Sequence, residues 1–212
     1  MKLKFKHQRF QTDAAKCVTD AFLGQKYSDS AEYIMDTGKM SGLFDIQGFG
    51  NTPLMLDNGA ITDNIRVIQM RQGLKPIEQL QGSGINLTIE METGTGKTYT
   101  YIKTMYELNK LYGWSKFIVV VPSIAIREGV HKSFKILEDH FMEHYGKKAR
   151  YFIYNSSNLQ QLDSFSSDAG INVMMLSQGS EVNVSFVVKQ ADGVKAVRAI
   201  HEEYHLEEEE EA

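Results

Sequence analysis

The stretch "INLTIEMETGTGKTYTYIKTMYELNKLYG", residues 85–113, decides how the rest of this chain is read. Residues 85–91 alternate apolar and polar side chains, so a β-strand is expected there. Residues 97–113 place Ile102, Met105, Leu108 and Tyr112 at helical spacing, so a helix is expected next. Between them lies Glu92-Thr93-Gly94-Thr95-Gly96-Lys97-Thr98. A glycine turn that opens into a helix presents consecutive backbone N–H groups, and the helix dipole adds positive potential. Gly94 and Gly96 allow the backbone to curl, Lys97 can reach phosphate oxygens, and the Thr98 hydroxyl can bind Mg²⁺. The full phosphate-loop pattern is G-x-x-x-x-G-K-[ST]; Met91 stands where its first glycine would be.

Downstream, "KFIVVVP" (116–122) reads as a strand covered on both faces, and "SIAIREGVHKSFKILEDHF" (123–141) as a helix with Val130, Phe134, Leu137 and Phe141 on one stripe. "ARYFIYN" (149–155) and "INVMMLS" (171–177) read as further strands. Strand and helix alternate, so the expected fold class is α/β with a parallel sheet and flanking helices. Upstream, residues 8–23 read as a helix with Phe10, Ala14, Cys17, Val18 and Ala21 on its inner face. Residues 24–84 read as an irregular insertion with one short helix near 62–71. Tyr151, Phe152 and Tyr154 are expected in the core in preference to a base-stacking platform.

Bulk properties exclude little. The chain has 212 residues, 42% hydrophobic and 24% charged, an ordinary globular mix. Setting aside the acidic run Glu207–Glu211, the chain is nearly neutral, so net charge argues neither for nor against nucleic acid. A lone cysteine, Cys17, suits a reducing compartment, and a cytoplasmic location is expected. Apolar runs such as Phe117–Val121 are too short for a bilayer, so no membrane association is expected.

The motifs together resemble the restriction subunit of type III restriction–modification enzymes, members of helicase superfamily 2. The resemblance runs through residues 85–176 and includes the start of the chain. "METGTGKT" is similar to the ATP-binding motif I, which implies ATP and Mg²⁺ as cofactors. It also implies phosphate contacts by Glu92, Thr93, Gly94, Thr95, Gly96, Lys97 and Thr98, with Thr98 on the metal. "VVVPSIAIREGV" resembles motif Ia, which implies that Pro122, Ser123 and Arg127 contact the DNA backbone. "RFQTDAA" resembles the Q-motif region, so Gln11, with Gln8 as the neighbouring alternative, is expected to read adenine. The fold implied is an incomplete RecA-like P-loop domain over residues 1–176, and the partner implied is a methyltransferase (modification) subunit.

Hydrolysis in this superfamily also uses an acidic pair at the end of a later strand, a second motor lobe and, for cutting, a nuclease domain. The sequence holds no apolar run that ends in Asp-Glu. ATP binding without turnover or DNA cleavage is therefore expected of this chain alone, and no catalytic residue is named.

The last part, "GINVMMLSQGSEVNVSFVVKQADGVKAVRAIHEEYHL" (170–206), resembles the end of the regulatory ACT domain of aspartate kinases. Residues 177–206 are expected to form an ACT-like strand–strand–helix end and residues 207–212 an acidic tail. The chain thus reads as a chimera. Two alternative readings stay open: an ACT-like regulatory or oligomerisation module, and a chimeric fragment without function. His201-Glu202-Glu203-Tyr204-His205 matches H-E-x-x-H, but both histidines fall at the edge of the helix's apolar face, and a zinc hydrolase is not expected.

Overall fold

The computed structural model describes residues 5–29, 31–35, 46–80, 84–154, 165 and 170–177. Its elements are α1 (Arg9–Asp20), β1 (Ala31–Met35), β2 (Ile46–Gly50), α2 (Asn58–Arg71), α3 (Lys97–Tyr112), β3 (Lys116–Val121), α4 (Ile124–Tyr145), β4 (Arg150–Ile153) and β5 (Asn172–Ser177).

β3, β5 and β4 make a parallel sheet in that order, with β5 in the middle. Lys116 pairs with Asn172 and Val121 with Ser177 along one side of β5. Arg150 pairs with Asn172 and Ile153 with Met175 along the other. Parallel strands need a long connection, and α4 supplies it between β3 and β4, which flank β5. The central strand is the most deeply covered: Val173 and Met175 have no exposed surface. Ile102, Met105 and Tyr106 from α3 meet Val130, Phe134, Leu137 and Phe141 from α4 over it. Phe141 stacks on Tyr106 at 4.8 Å between ring centroids. All four residues of the expected α4 stripe are buried.

α1 packs along α3, and the Tyr112 hydroxyl donates to the Thr19 carbonyl at 2.8 Å. A second apolar cluster of Ala21, Ile61 and Ile65 ties α1 to α2. Helix ends are set locally. Asp57 caps α2 by accepting from Ala60 N, and Ser123 caps α4 by accepting from Ile126 N. α3 and α4 both end in a left-handed glycine, Gly113 and Gly146. No helix among the described residues is long and apolar enough to cross a membrane.

Four expectations need correction. Residues 85–91 are extended but not a strand, because no other strand pairs with them among the described residues. Their apolar side chains, Leu87 and Ile89, are exposed. Among the described residues, β3 is covered on one face only. Phe117, Val119 and Val121 face the helices, while Ile118 (57%) and Val120 (64%) are exposed on the other face. On α1, Phe10 is 48% exposed and Ala15, Cys17 and Thr19 are buried, since the helix touches α3 and α2 on adjoining faces. Residues 24–84 hold more regular structure than expected: the antiparallel pair β1–β2 and a 14-residue α2. The elements expected after Ser177, the His201–His205 pattern and the acidic run lie outside the described residues.

Candidate nucleotide-phosphate site

The loop from Met91 to Gly96 turns tightly into α3. Gly94 and Gly96 have φ of 81° and 85°, a region that disfavours other residues by about 1–2 kcal/mol. Thr95, between them, closes the turn: its hydroxyl donates to the Glu92 carbonyl at 2.6 Å. The first backbone bond of the helix runs from Thr100 N to the Gly96 carbonyl at 3.0 Å.

The start of α3 differs from the starts of α2 and α4. No side chain caps it, whereas Asp57 and Ser123 cap those two. The N–H groups of that turn and the dipole behind them are left for an anion from outside. A Cβ at Gly94 would meet nothing within 4 Å, so the loop is open on that side. Lys97, first in the helix, is exposed and forms no ion pair among the described residues. Thr98 follows it, half-buried, and Glu92 and Thr93 lie exposed at the mouth.

Gln11 reaches this loop from α1. Its Nε2 donates to the Thr95 carbonyl at 2.9 Å. The same nitrogen would lie 2.5 Å from a Cβ built on Gly96. Gln8, by contrast, is the exposed N-cap position of α1, and its backbone carbonyl accepts from Thr12 N and the Thr12 hydroxyl. Of the two glutamines, the structure brings Gln11 to the loop.

A cavity of about 850 Å³ opens beside the loop, between α1, α2 and the extended residues 86–92. Thr95 and Glu92 form its loop side, Phe10 and Asp13 its α1 side, and Ile77 and Leu80 part of the rest. That volume is within the range that takes a drug-sized ligand. Sequence reasoning missed the walls given by Ile77 and Leu80. They sit in an irregular segment with no periodicity, placed by hydrogen bonds from Ile77 N to the Gln69 side chain at 2.8 Å and from Arg66 Nε to the Ile77 carbonyl at 2.9 Å, and by packing on the Ala21–Ile61–Ile65 cluster.

Pro122 and Ser123 form the turn from β3 into α4, and Arg127 lies in the first turn of that helix. The Ser123 hydroxyl is engaged as the cap of α4, and Arg127 Nη2 pairs with Glu128 at 3.0 Å. Tyr151 stacks on Phe134 at 5.1 Å, and Phe152 meets Phe165 edge-on at 6.1 Å, which places both within aromatic packing.

Comparison with known proteins finds relatives for about half of the chain. It is 37% identical over 109 residues to the Res subunit of the type III restriction-modification enzyme EcoP15I of Escherichia coli, covering 50% of this chain and 11% of that protein. It is 35% identical over 109 residues to the EcoPI Res subunit of Escherichia phage P1, with the same coverage of each. It is 48% identical over 62 residues to the StyLTI Res subunit of Salmonella typhimurium, covering 29% of this chain and 6% of that protein. The chain therefore spans about a tenth or less of the length of these relatives. A family model described as an ACT domain matches residues 164–204. That match includes β5, the strand that pairs with both β3 and β4.

Proposed function

We propose that this chain is the ATP-binding part of a DNA-translocating motor of the type III restriction kind, built as an incomplete RecA-like domain over residues 1–176. The observation that carries the reading is the start of α3. It is an uncapped helix terminus behind two left-handed glycines, headed by a lysine with no ion pair among the described residues and braced by Gln11. The similarity to Res subunits supports the same reading.

The residues present fit a nucleoside triphosphate. The amides of residues 94–98 are proposed to bind its phosphate oxygens, with Lys97 as the mobile countercharge. The Thr98 hydroxyl is the proposed ligand to Mg²⁺. Glu92 and Thr93 are proposed to edge the phosphate site. The base would lie in the cavity beside Thr95, where Asp13 offers polar atoms and Phe10 an apolar surface; Gln11, held on the Thr95 carbonyl, is the proposed adenine contact. Bound ATP·Mg²⁺ supplies the phosphoryl group whose transfer drives a motor of this kind. The sequence carries no apolar run ending in an acidic pair, so the proposal for this chain is binding without turnover.

DNA and a modification subunit are the proposed partners. Pro122, Ser123 and Arg127 are the proposed DNA contacts, made after the Arg127–Glu128 pair opens. Residues 177–206 are proposed as the ACT-like end and residues 207–212 as the acidic tail. The ACT-domain match favours a second reading, a regulatory module that senses an amino acid.

Calorimetric titration separates the two. The ATP reading predicts saturable binding of Mg·ATP that weakens at least tenfold in Lys97→Ala. Equal binding by both proteins, or a response to amino acids alone, counts against it.

A further inference from the structure

Three histidines converge away from the phosphate loop. His140 and His144 are four residues apart on α4, so their side chains leave the same face of the helix. His7 comes from the extended segment ahead of α1. One ring nitrogen of each lies within 4.8 Å of those of the other two. His7 Nε2 and His144 Nε2 are 2.6 Å apart.

The surroundings prepare these rings as ligands. His144 Nδ1 lies 2.7 Å from the His140 carbonyl, so Nδ1–H donates there and Nε2 keeps its lone pair. That backbone contact is the kind that fixes the tautomer and orientation of a metal-bound imidazole. His140 is buried, held edge-on by Phe5 and Phe141 and bonded through Nε2 to the Tyr99 hydroxyl at 2.9 Å. Imidazole coordinates a metal ion in its neutral form, through the lone pair of one ring nitrogen. The charges that face the cluster are Lys103, which Glu107 binds at 3.1 Å, and Glu143.

The closest pair stands near the ligand spacing of a small transition-metal ion. With Zn–N bonds of about 2.0–2.1 Å, two ligands of a tetrahedral ion stand roughly 3.3 Å apart. The His7–His144 pair would open by less than 1 Å on that count, and His7 is exposed and can move.

We propose that His7, His140 and His144 form a three-imidazole metal site suited to Zn²⁺, which fastens the segment ahead of α1 to α4. The fourth position is left to water. The ion would act as a staple. His7 is four residues before Gln11, and Tyr99, which touches His140, is two residues after Lys97. Holding His7 on α4 therefore fixes α1 against the phosphate loop. This inference stands on the histidines and does not depend on what the loop binds.

The test is titration of the metal-stripped full chain with Co²⁺ and Zn²⁺. His7 and His144 are exposed, so His7→Ala and His144→Ala should fold, which circular dichroism checks. Each variant is expected to lose one equivalent of Co²⁺ with four-coordinate visible bands, and to weaken Zn²⁺ binding at least tenfold. A control with both His201→Ala and His205→Ala is expected to keep that equivalent. Zn²⁺ should raise the unfolding temperature of the wild type and of the control, and leave that of His144→Ala unchanged. Absence of stoichiometric binding in the wild type overturns the proposal. So does binding that survives in His7→Ala and His144→Ala, or that disappears in the control.

Discussion

The side chain of Gln11 donates to the Thr95 carbonyl at 2.9 Å, linking the first helix to a loop 84 residues away in sequence. A buried or half-buried hydrogen bond of this kind contributes about 1 kcal/mol. Its consequence is positional: the amide nitrogen fills the space above Gly96 and holds the curl that exposes the loop's N–H groups.

Gln11→Glu is the sharpest test of that link. A carboxylate can only accept, so it would face the Thr95 carbonyl without a proton and add negative charge beside bound phosphates. We expect Mg·ATP to bind about tenfold more weakly to this variant, a loss near 1.4 kcal/mol, and Gln11→Ala to lose less. Equal affinities for wild type and Gln11→Glu, measured by calorimetry, would show that the link does not shape the site.

Gly113 and Gly146 end α3 and α4 with nearly the same backbone, at φ of 79° and 67°. Their surroundings differ. A Cβ on Gly113 would lie 1.9 Å from the Ser28 carbonyl oxygen, whereas on Gly146 it would meet nothing within 4 Å. Gly146→Ala should cost only the conformational penalty, about 1–2 kcal/mol. Gly113→Ala should cost roughly 3 kcal/mol or more, because backbone must move. Urea unfolding of both variants checks the order; a smaller loss at Gly113 would contradict the close approach of residue 28 to the end of α3.

Glu107 anchors a polar cluster between α3 and α4. Burial alone would raise its carboxyl, but bonds from the Tyr145 hydroxyl at 2.7 Å and Lys103 at 3.1 Å outweigh this and hold it below its ordinary value of 4.5. A carboxyl depressed on folding stabilises the native state above its unfolded value, and that contribution is lost as pH falls through the folded one. Stability should therefore decline as pH drops below about 4.5. Glu107→Gln should be less stable at pH 7 and show a shallower decline in acid. Unfolding midpoints at pH 7 and in the acid range test this; parallel pH profiles would sink it.

Ile118 and Phe141 are both large and apolar, yet the sheet treats them differently. Phe141 is 2% exposed under α3 and the sheet, and Ile118 is 57% exposed on the uncovered face of β3. Phe141→Ala should cost about 3–5 kcal/mol and Ile118→Thr less than about 0.5 kcal/mol. A large loss at Ile118 in thermal unfolding would mean that the second face of β3 is covered in solution.

Much of the fold was legible because its signals are local. The α4 stripe of Val130, Phe134, Leu137 and Phe141 follows a strict helical period, and all four are buried as that period requires. The run Phe117–Val121 was legible as strand but not as half-covered strand. Apolar runs alone do not say which neighbours arrive, and here helices reach only the face of Phe117, Val119 and Val121. Residues 85–91 carry the alternation of a strand, but a strand exists only through its partner. Residues 31–35 and 46–50 pair across an interval too long for a tight hairpin turn to set their register. At the candidate site, the glycine turn that opens into a helix headed by Lys97 was legible. The place of Gln11 on Thr95, and the meeting of His7 with His140 and His144, depend on packing between distant elements.

Thermal unfolding with and without Mg·ATP, on wild type and Lys97→Ala, tests the central claim most directly. A ligand that binds only the native state must stabilise it, by about 2.7 kcal/mol at a hundredfold excess over Kd. For a chain of this size that corresponds to a rise of roughly 5–10 °C. The account predicts such a rise in the wild type and little or none in Lys97→Ala. Unfolding temperatures that Mg·ATP leaves unchanged in both proteins, or raises equally in both, would contradict it.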